Sequence, residues 1–388
     1  MPGKRNEQPS FPPHLALILA ASLALGACAP QRALEAKRLL EDVAAVEGPS
    51  SLKVATEPPA RREIAFVQDG RDYLADLYEP ADGTVAGLVL VPGLTPAGRN
   101  DRRFVPFAKS LARSGFRVLV PEIASLRELR VSADNAEPIA AAVHHLSGLD
   151  RPEAPRPVGL IAISYAAGPA VIAALEPELR DKVAFLGLIG GYYDIEAVVT
   201  YFTTGYFRLG PGEPWRQGSP NAYGKWVFVQ SNAPYLEDPH DRVTLISMAM
   251  RKRRNLEADI ADLVAALGDE GRRVHDLLEN RDPERVAALI AALPGSLRDE
   301  LTALDLKRRD LDGLGARLLL VHGRDDPVIP SIESEKLAAA LPEGQSRLYL
   351  ADNLIHAELR PGGLADAFTL WEAAYRLLEE RDRLATKR

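Results

Sequence analysis

The sequence predicts an α/β fold in which a mostly parallel central sheet carries helices on both faces and a helical insertion interrupts the core. Short apolar runs, such as 87–91 and 158–163, alternate with amphipathic stretches, which is typical of buried parallel strands joined by helices. This alternation stops between about 196 and 310 and then resumes. A chain of 388 residues, 46% of them hydrophobic, is long enough to bury one large core of this kind.

The first part of the core, predicted over 61–196, begins with a hairpin. Two alternating stretches flank Asp69-Gly70, a dipeptide that favours a two-residue turn between antiparallel strands. Strand and helix signals then alternate, and the second part of the core, predicted over 311–388, ends in an amphipathic helix. The predicted strands are 87–91, 117–120, 158–163, 183–189, 317–321 and 346–350, and the predicted helices between them include 103–114 and 132–146.

The stretch 197–310 is predicted to be a helical cap. Because it leaves and re-enters the core between two parallel strands, its ends must emerge at the edge of the sheet where such folds bind ligands. Its first part is rich in aromatic residues, which predicts an apolar wall for a substrate pocket. The alternative is that these rings form only the small core of the cap itself. The residues in question are Tyr201, Phe202, Tyr206, Phe207, Trp215 and Trp226.

The N-terminal segment has the pattern of an export signal. Lys4 and Arg5 precede the apolar stretch 15–25, which is too short to span a bilayer, and small residues lead to Cys28. The sequence Leu-Gly-Ala-Cys at this point resembles the lipobox of bacterial lipoproteins, and Cys28 is the only cysteine in the chain. The alternative is an ordinary signal peptide with a cysteine at this position by chance.

The resemblance to lipoproteins implies a signal peptide over 1–27 and a lipid on Cys28. The stretch 28–60 is rich in Ala, Glu, Pro and Ser and is interpreted as a tether, in which 33–46 could form a short helix. Residue 29 is alanine rather than the aspartate that often retains such proteins in the inner membrane. The resemblance therefore implies an exported protein of the outer membrane, facing the periplasm and attached to the membrane through its N-terminal lipid.

Charge and motif content argue against several classes of function. A formal net charge of −7 argues against nucleic acid as the main partner, and the basic run 251–254 is interpreted as a solvated helix face. The sequence contains neither Cys/His clusters with zinc-like spacing nor a Walker A, His-Glu-x-x-His or Gly-x-Gly-x-x-Gly motif. We therefore expect no metal and no organic cofactor.

Three residues of the types that catalyse acyl transfer (a serine, an aspartate and a histidine) follow predicted strands. Ser164 comes directly after 158–163, Asp326 follows 317–321 in "HGRDDPVIP", and His356 follows 346–350 in "ADNLIHAEL". Taken singly, each has an ordinary structural explanation: a helix N-cap, a turn residue and a surface histidine. Together their order along the chain and their positions at strand ends resemble the α/β-hydrolase superfamily.

The resemblance implies a nucleophilic Ser164, a basic His356 and an acidic Asp326. In the superfamily the serine lies on a sharp turn whose neighbours at −2 and +2 are usually glycine, whereas this chain has Ala162 and Ala166. Alanine adds one methyl group at each position and is the next smallest choice. The backbone N–H groups of Leu94 and Tyr165 are predicted to form the oxyanion hole.

Some assignments within this scheme stay open. Asp325, and Asp194 after the preceding strand, are alternatives to Asp326 as the acid, and His322 is interpreted as structural. The resemblance implies a serine hydrolase that cleaves carboxylic esters, with a small-molecule or lipid-like ester as substrate. The alternatives are an acyltransferase, a peptidase or a cofactor-free haloperoxidase with the same triad, or a non-catalytic binding module anchored to the envelope.

Overall fold

A computed structural model describes residues 30–150, 152–360 and 362–386. Its strands are β1 Ala60–Gln68, β2 Arg71–Glu79, β3 Ala86–Val91, β4 Phe116–Pro121, β5 Val158–Ile163, β6 Val183–Ile189, β7 Tyr206–Phe207, β8 Arg216–Gln217, β9 Arg317–Gly323, β10 Ser346–Ala351, β11 Leu354–Ile355 and β12 Glu358–Leu359. Its helices are α1 30–45, α2 Ser51–Ala55, α3 Phe104–Arg113, α4 Ala124–Arg127, α5 Ala136–Gly148, α6 Ala167–Ala174, α7 Ile195–Thr204, α8 Tyr223–Asn232, α9 Pro239–Arg254, α10 Ala261–Ala266, α11 Asp269–Glu279, α12 Val286–Ala291, α13 Gly295–Leu304, α14 Ile332–Ala339 and α15 Leu364–Thr386.

The main sheet has eight strands in the order β1-β2-β4-β3-β5-β6-β9-β10. The pairs β1–β2 and β2–β4 are antiparallel, and the other pairs of this sheet are parallel. Helices cover both faces and bury a separate hydrophobic cluster on each. The predicted fold class, a mostly parallel sheet with helices on both faces and a helical insertion, is therefore confirmed.

The predicted hairpin at the start of the sheet is confirmed. β1 pairs with β2 from Ala60↔Glu79 to Gln68↔Arg71, which leaves Asp69 and Gly70 as the two turn residues. Their φ angles are 51° and 76°. A type I′ turn requires positive φ at both central residues, and this explains why an Asp-Gly dipeptide stands here.

The insertion between β6 and β9 is mainly helical and comprises α7 to α13, with the short hairpin β7–β8 near its start. It begins within a few residues of the carboxyl end of β6. Asp194 is the N-cap of its first helix, α7, and the Asp194 side chain accepts a hydrogen bond from the Ala197 amide. The insertion thus starts at the edge of the sheet where Ser164 also lies.

The N-terminal segment differs from the expected tether from residue 30 onward. Helix α1 packs on α15: Arg32 pairs with Asp382 at 2.8 Å, and the Trp371 indole N–H donates to the Ala33 carbonyl at 3.0 Å. Asp42 is buried and accepts a hydrogen bond from Ser110 of α3. The interpretation of 30–55 as tether is therefore wrong, since α1 buries Ala36 and Leu39, an apolar pair at helical spacing, in the core.

Cys28 and the predicted signal peptide lie outside the described residues. Within the described ranges, none of the helices has both the length and the apolar character that crossing a bilayer requires.

Candidate active site

The structure brings Ser164, His356 and Asp326 together. Ser164 follows β5, Asp326 follows β9, and His356 lies between β11 and β12, just beyond β10. His356 Nε2 lies 2.7 Å from Ser164 Oγ, and His356 Nδ1 lies 2.8 Å from Asp326 Oδ2. Because an ionised carboxylate only accepts hydrogen bonds, Nδ1 carries the ring proton and Nε2 is left to accept from the serine hydroxyl. This is the tautomer that a general base needs.

Ser164 lies on a strained turn between β5 and α6. Its φ angle is 60°, a region that non-glycine residues seldom occupy, and a single 3₁₀ turn over Ser164–Ala166 leads into the helix. Ala162 and Ala166 are both fully buried. The turn therefore accommodates a methyl group at each position where the superfamily usually has glycine.

Gly168, in the first turn of α6, permits a close contact on the other side of this helix. A Cβ atom at this position would lie 1.9 Å from the Tyr192 hydroxyl oxygen, which donates to the Leu304 carbonyl of the insertion. The absence of a side chain thus lets Tyr192 pass α6 and reach the insertion.

Asp326 is buried, and hydrogen bonds hold its carboxyl group from both sides. Its Oδ1 accepts from the amides of Val328 and Ile329 at 2.7 and 3.0 Å, while Oδ2 faces His356. Burial alone would raise the pKa of this carboxyl, but hydrogen bonds from His322 and His356 outweigh it and hold the pKa well below its usual range. Asp326 is therefore an anion wherever the site would operate.

The two alternative acids are placed elsewhere. Asp325 is exposed. Asp194 is buried, but its carboxylate caps α7 and pairs with Lys307 at 2.8 Å. Of the three aspartates considered, Asp326 is the one hydrogen-bonded to His356.

The two predicted oxyanion donors lie beside Ser164. Leu94 and Tyr165 line the same cavity as Ser164 and His356. The loop after β3 approaches the turn closely, because a Cβ atom on Gly93 would lie 3.4 Å from Ser164 Cβ. The Leu94 amide, in the loop after β3, donates to none of the described backbone acceptors. Leu94 and Tyr165 thus both border the space beside Ser164 in which an oxyanion would form.

An apolar cavity of about 200 Å³ opens beside Ser164 and His356. Helices α7 and α8 of the insertion supply half of the residues that line it, and the others come from α13, from the loops after β3, β5, β6 and β9, and from segments next to the insertion and the triad. Most of the lining is aliphatic or aromatic, and Asn221, Ser231 and Asn232 add polar groups. The apolar lining includes Val131, Tyr192, Ile195, Val198, Val199, Phe202, Val227, Phe228, Leu301, Leu304 and Val328.

The prediction of an aromatic wall is wrong for most of the residues named. Phe202 lines the cavity, but Tyr201, Tyr206, Phe207, Trp215 and Trp226 do not. Trp226 is buried on another face of α8, and Trp215 instead packs under the Arg208 guanidinium, 4.0 Å from the ring centroid. The wall that sequence reasoning missed follows α7 at the helical spacing of Ile195, Val198, Val199 and Phe202. The helical spacing of these four residues was the feature of the sequence from which this wall could have been predicted.

Two contacts attach the insertion to the loop that carries the acid. The Tyr201 hydroxyl donates to the Asp326 carbonyl at 3.0 Å, and the Asn221 amide donates to the Pro327 carbonyl at 2.7 Å. Burial, reinforced by the negative charge of Asp326, raises the pKa of Tyr201 to about 12, so the phenol keeps its proton at neutral pH. The cap and the acid loop are therefore one hydrogen-bonded unit.

The basic run 251–254 has a structural explanation. It forms the last turn of α9, where cations interact favourably with the helix dipole, and Arg251 pairs with Asp262. Among the described residues, no group of three or more His, Cys, Asp or Glu side chains is arranged to hold a metal ion.

Comparisons with known proteins show similarity in structure. No family model and no curated protein matches the sequence. A candidate hydrolase from Legionella pneumophila superimposes with a TM-score of 0.54 at 12% identity, covering 84% of this chain and 90% of the other. A rice cell-wall-degrading esterase from Xanthomonas oryzae gives a TM-score of 0.48 at 15% identity, with coverages of 84% and 88%.

A puromycin-hydrolysing peptidase from Mycobacterium tuberculosis gives a TM-score of 0.47 at 16% identity, covering 84% of this chain. The present chain spans only 39% of that peptidase and 41% of an acylaminoacyl peptidase from Pyrococcus horikoshii. The sheet order, the strained serine turn and the superposition on the Legionella protein agree, and we conclude that this chain has the α/β-hydrolase fold.

Proposed function

We propose that the protein is a serine hydrolase that cleaves carboxylic esters through an acyl-enzyme on Ser164. One observation carries the proposal: Ser164, His356 and Asp326 form a continuous hydrogen-bonded row, with distances of 2.7 and 2.8 Å, beside an apolar cavity. A serine that only caps a helix needs neither a histidine within hydrogen-bond distance nor a backbone φ of 60°.

The geometry supports acyl transfer in two steps. His356 Nε2 takes the proton of Ser164 Oγ as this oxygen attacks the carbonyl carbon, and Asp326 stabilises the imidazolium that forms. The amides of Leu94 and Tyr165 receive the negative charge on the carbonyl oxygen. His356 then returns the proton to the leaving alcohol. Water, deprotonated by the same nitrogen, releases the acid and regenerates Ser164.

Substrate panels separate an esterase from other enzymes with the same triad. p-Nitrophenyl esters of increasing acyl length test for hydrolysis, matched p-nitroanilides test for peptidase activity, and an added alcohol acceptor tests for transfer. We expect turnover of the esters to exceed that of the anilides, with water as the main acceptor. Faster cleavage of the anilides, or transfer that outpaces hydrolysis, would contradict the proposal of an ester hydrolase.

Filling the cavity is expected to shorten the acyl chains that the enzyme accepts. Val227 of α8 lines the cavity, and the change Val227→Phe would place an aromatic ring in the space that a long acyl chain needs. The measurement is kcat/KM across the p-nitrophenyl ester series. We expect a fall for long chains of about tenfold or more, the cost of a few lost methylene contacts, with short chains little affected.

Val243→Phe is the matched control, because Val243 is 63% exposed on α9 and does not line the cavity. An unchanged chain-length profile in Val227→Phe, or the same change in both variants, would show that this cavity does not bind the acyl chain.

We further propose that the protein is a lipoprotein of the outer membrane, anchored through Cys28 and facing the periplasm. The support is the signal-like segment ending in Leu-Gly-Ala-Cys, at the only cysteine of the chain. One acyl chain binds membranes only marginally, so stable anchoring needs the several chains that lipoproteins carry. Since residue 30 already lies in α1, a lipid on Cys28 would hold the folded core close to the membrane surface.

Mass spectrometry of the mature N-terminus tests the anchor. We expect the mature chain to begin at Cys28 with covalent acyl chains, and the Cys28→Ser variant to lose acyl labelling and leave the membrane fraction. An unacylated N-terminus at another residue, with the protein in the soluble periplasmic fraction, would overturn this proposal without affecting the one on hydrolysis.

A further inference from the structure

A second histidine lies behind the triad acid. His322, at the end of β9, is 0% exposed, and its neighbour Ser334 of α14 is also buried. His322 Nδ1 lies 2.7 Å from Ser334 Oγ. His322 Nε2 lies 2.9 Å from the Ile329 carbonyl oxygen and 3.3 Å from Asp326 Oδ2. The sequence-based interpretation of His322 as a structural residue did not include a contact with the acid.

The partners of His322 determine where its proton lies. A carbonyl oxygen only accepts hydrogen bonds, so Nε2 must carry a hydrogen. In the neutral ring Nδ1 is then unprotonated and accepts from the Ser334 hydroxyl. The Nε2–H group therefore faces both the Ile329 carbonyl and Asp326 Oδ2, and the carboxylate meets a donor rather than a lone pair.

The result is a row of five side chains centred on one carboxylate: Ser164, His356, Asp326, His322 and Ser334. Oδ2 of the acid is placed between two imidazole N–H groups, and Oδ1 is held by two backbone amides. Each side of the carboxylate therefore has its own donors. A carboxylate with one donor fewer could turn about its Cβ–Cγ bond.

We propose that His322 is a positioning residue for the reaction, which holds the Asp326 carboxylate in the orientation that His356 requires. The inference rests on the proposed function of Ser164. Without the imidazole at position 322, Oδ2 loses a donor and gains space on the side away from His356. The ring of His356 then loses its fixed partner, and Nε2 is no longer held toward the serine. A displacement on the order of 1 Å at such a site can cost about 100-fold in rate.

Other titratable side chains near Asp326 do not replace His322. Burial, reinforced by Asp326, raises the pKa of both Tyr165 and Tyr201, so both phenols are neutral at working pH. Asp325 on the same loop carries a negative charge but is exposed. The Tyr201 hydroxyl donates to the backbone carbonyl of Asp326 and not to its carboxylate. Among the described residues, the ring N–H groups that face Oδ2 are those of His322 and His356.

Two variants of the full chain separate positioning from simple support of the fold. In His322→Met the side chain fills much of the same volume but has no donor, whereas in His322→Gln the amide can still donate from near the Nε2 position. With p-nitrophenyl esters we expect His322→Met to lower kcat by about 10- to 100-fold with little change in KM, and His322→Gln to recover most of the loss.

The pH profile of kcat/KM is the second measurement. In His322→Met the turned carboxylate no longer stabilises the imidazolium of His356, so we expect the acid limb to move to lower pH and to return in His322→Gln. Thermal unfolding and near-ultraviolet circular dichroism establish that both variants fold. If His322→Met does not fold, Ser334→Ala is the test. It removes the hydroxyl that donates to Nδ1 and helps to hold the His322 ring in place, and we expect a several-fold fall in kcat. An unchanged kcat in a folded Ser334→Ala variant would overturn the inference.

The failure of this inference can be distinguished from that of the proposed function. If the wild-type protein does not react with a fluorophosphonate, the proposed function fails. If the wild type reacts and His322→Met reacts at the same rate with an unchanged pH profile, only the role of His322 is overturned. Equal losses of kcat in the Met and Gln variants, in step with lower melting temperatures, would also overturn it and leave His322 as support for the fold.

Discussion

Ser164→Ala is expected to lower ester turnover by a factor on the order of 10⁶, to the level that binding and the oxyanion donors alone provide. The variant keeps the cavity and the amides of Leu94 and Tyr165, but His356 then faces a methyl group in place of the hydroxyl 2.7 Å away. The fold should persist, because alanine is smaller than serine and fits the same space, and the packing contacts around residue 164 stay unchanged.

The measurement is the steady-state rate of p-nitrophenyl ester hydrolysis with thermal unfolding as a parallel readout. Ser247→Ala is the control: among the residues that the structure describes, the Ser247 hydroxyl bonds only to the Val243 carbonyl within α9, and Ser247 does not line the cavity. Activity in Ser164→Ala within a few-fold of the wild type would show that another group is the nucleophile.

Asp326→Asn is expected to lower kcat by about 10⁴. The amide removes the charge that stabilises the His356 imidazolium. Its N–H₂ group, if turned toward Nδ1, also favours the tautomer with the proton on Nε2, which cannot accept from Ser164. Val328 and Ile329 would still donate to the remaining side-chain oxygen, so the loop should keep its conformation.

The matched variants Asp325→Asn and Asp194→Asn distinguish this role from a general effect of charge. Asp325 is exposed, and its variant should retain nearly full turnover. Asparagine would still cap α7, so Asp194→Asn loses mainly the pair with the half-exposed Lys307, and we expect it to lower stability by less than about 1 kcal/mol while keeping the triad. Loss of turnover in Asp194→Asn with near-normal rates in Asp326→Asn would transfer the role of the acid to Asp194.

The triad could be predicted from sequence because its geometry depends on topology. Parallel strands present their carboxyl ends at one edge of the sheet, so the segments that follow β5, β9 and β10 all emerge at that edge. Order along the chain, together with the resemblance to the α/β-hydrolase superfamily, selected Ser164, Asp326 and His356, with Asp325 and Asp194 left as alternatives for the acid. Alanine at 162 and 166 did not prevent this, because the turn requires only small side chains.

The lining of the cavity was harder to predict because it depends on how each cap helix is rotated about its axis. Adjacent residues on a helix point about 100° apart, so Phe202 faces the cavity while Tyr201 reaches the acid loop and Trp226 of α8 faces elsewhere. Aromatic content alone does not contain this information. The spacing of the aliphatic residues on α7 does contain it, but only once the buried face of the helix is known.

The contacts of His322 and α1 were beyond sequence reasoning for a different reason. The distance from His322 to Asp326 depends on how the loop after β9 folds back, which no periodicity records. Helix α1 docks through a buried carboxylate, Asp42, and through single pairs such as Arg32 with Asp382. A short segment rich in Ala and Glu has the same composition whether it is a tether or a docked helix.

The most direct test of the central claim is the mass of the protein after reaction with a fluorophosphonate, followed by peptide mapping. The account predicts one equivalent of label per chain, located on Ser164, with none in Ser164→Ala and slow labelling in Asp326→Asn. Absence of covalent label on folded wild-type protein, or a label that maps to another residue and persists in Ser164→Ala, would contradict the assignment of Ser164 as the nucleophile.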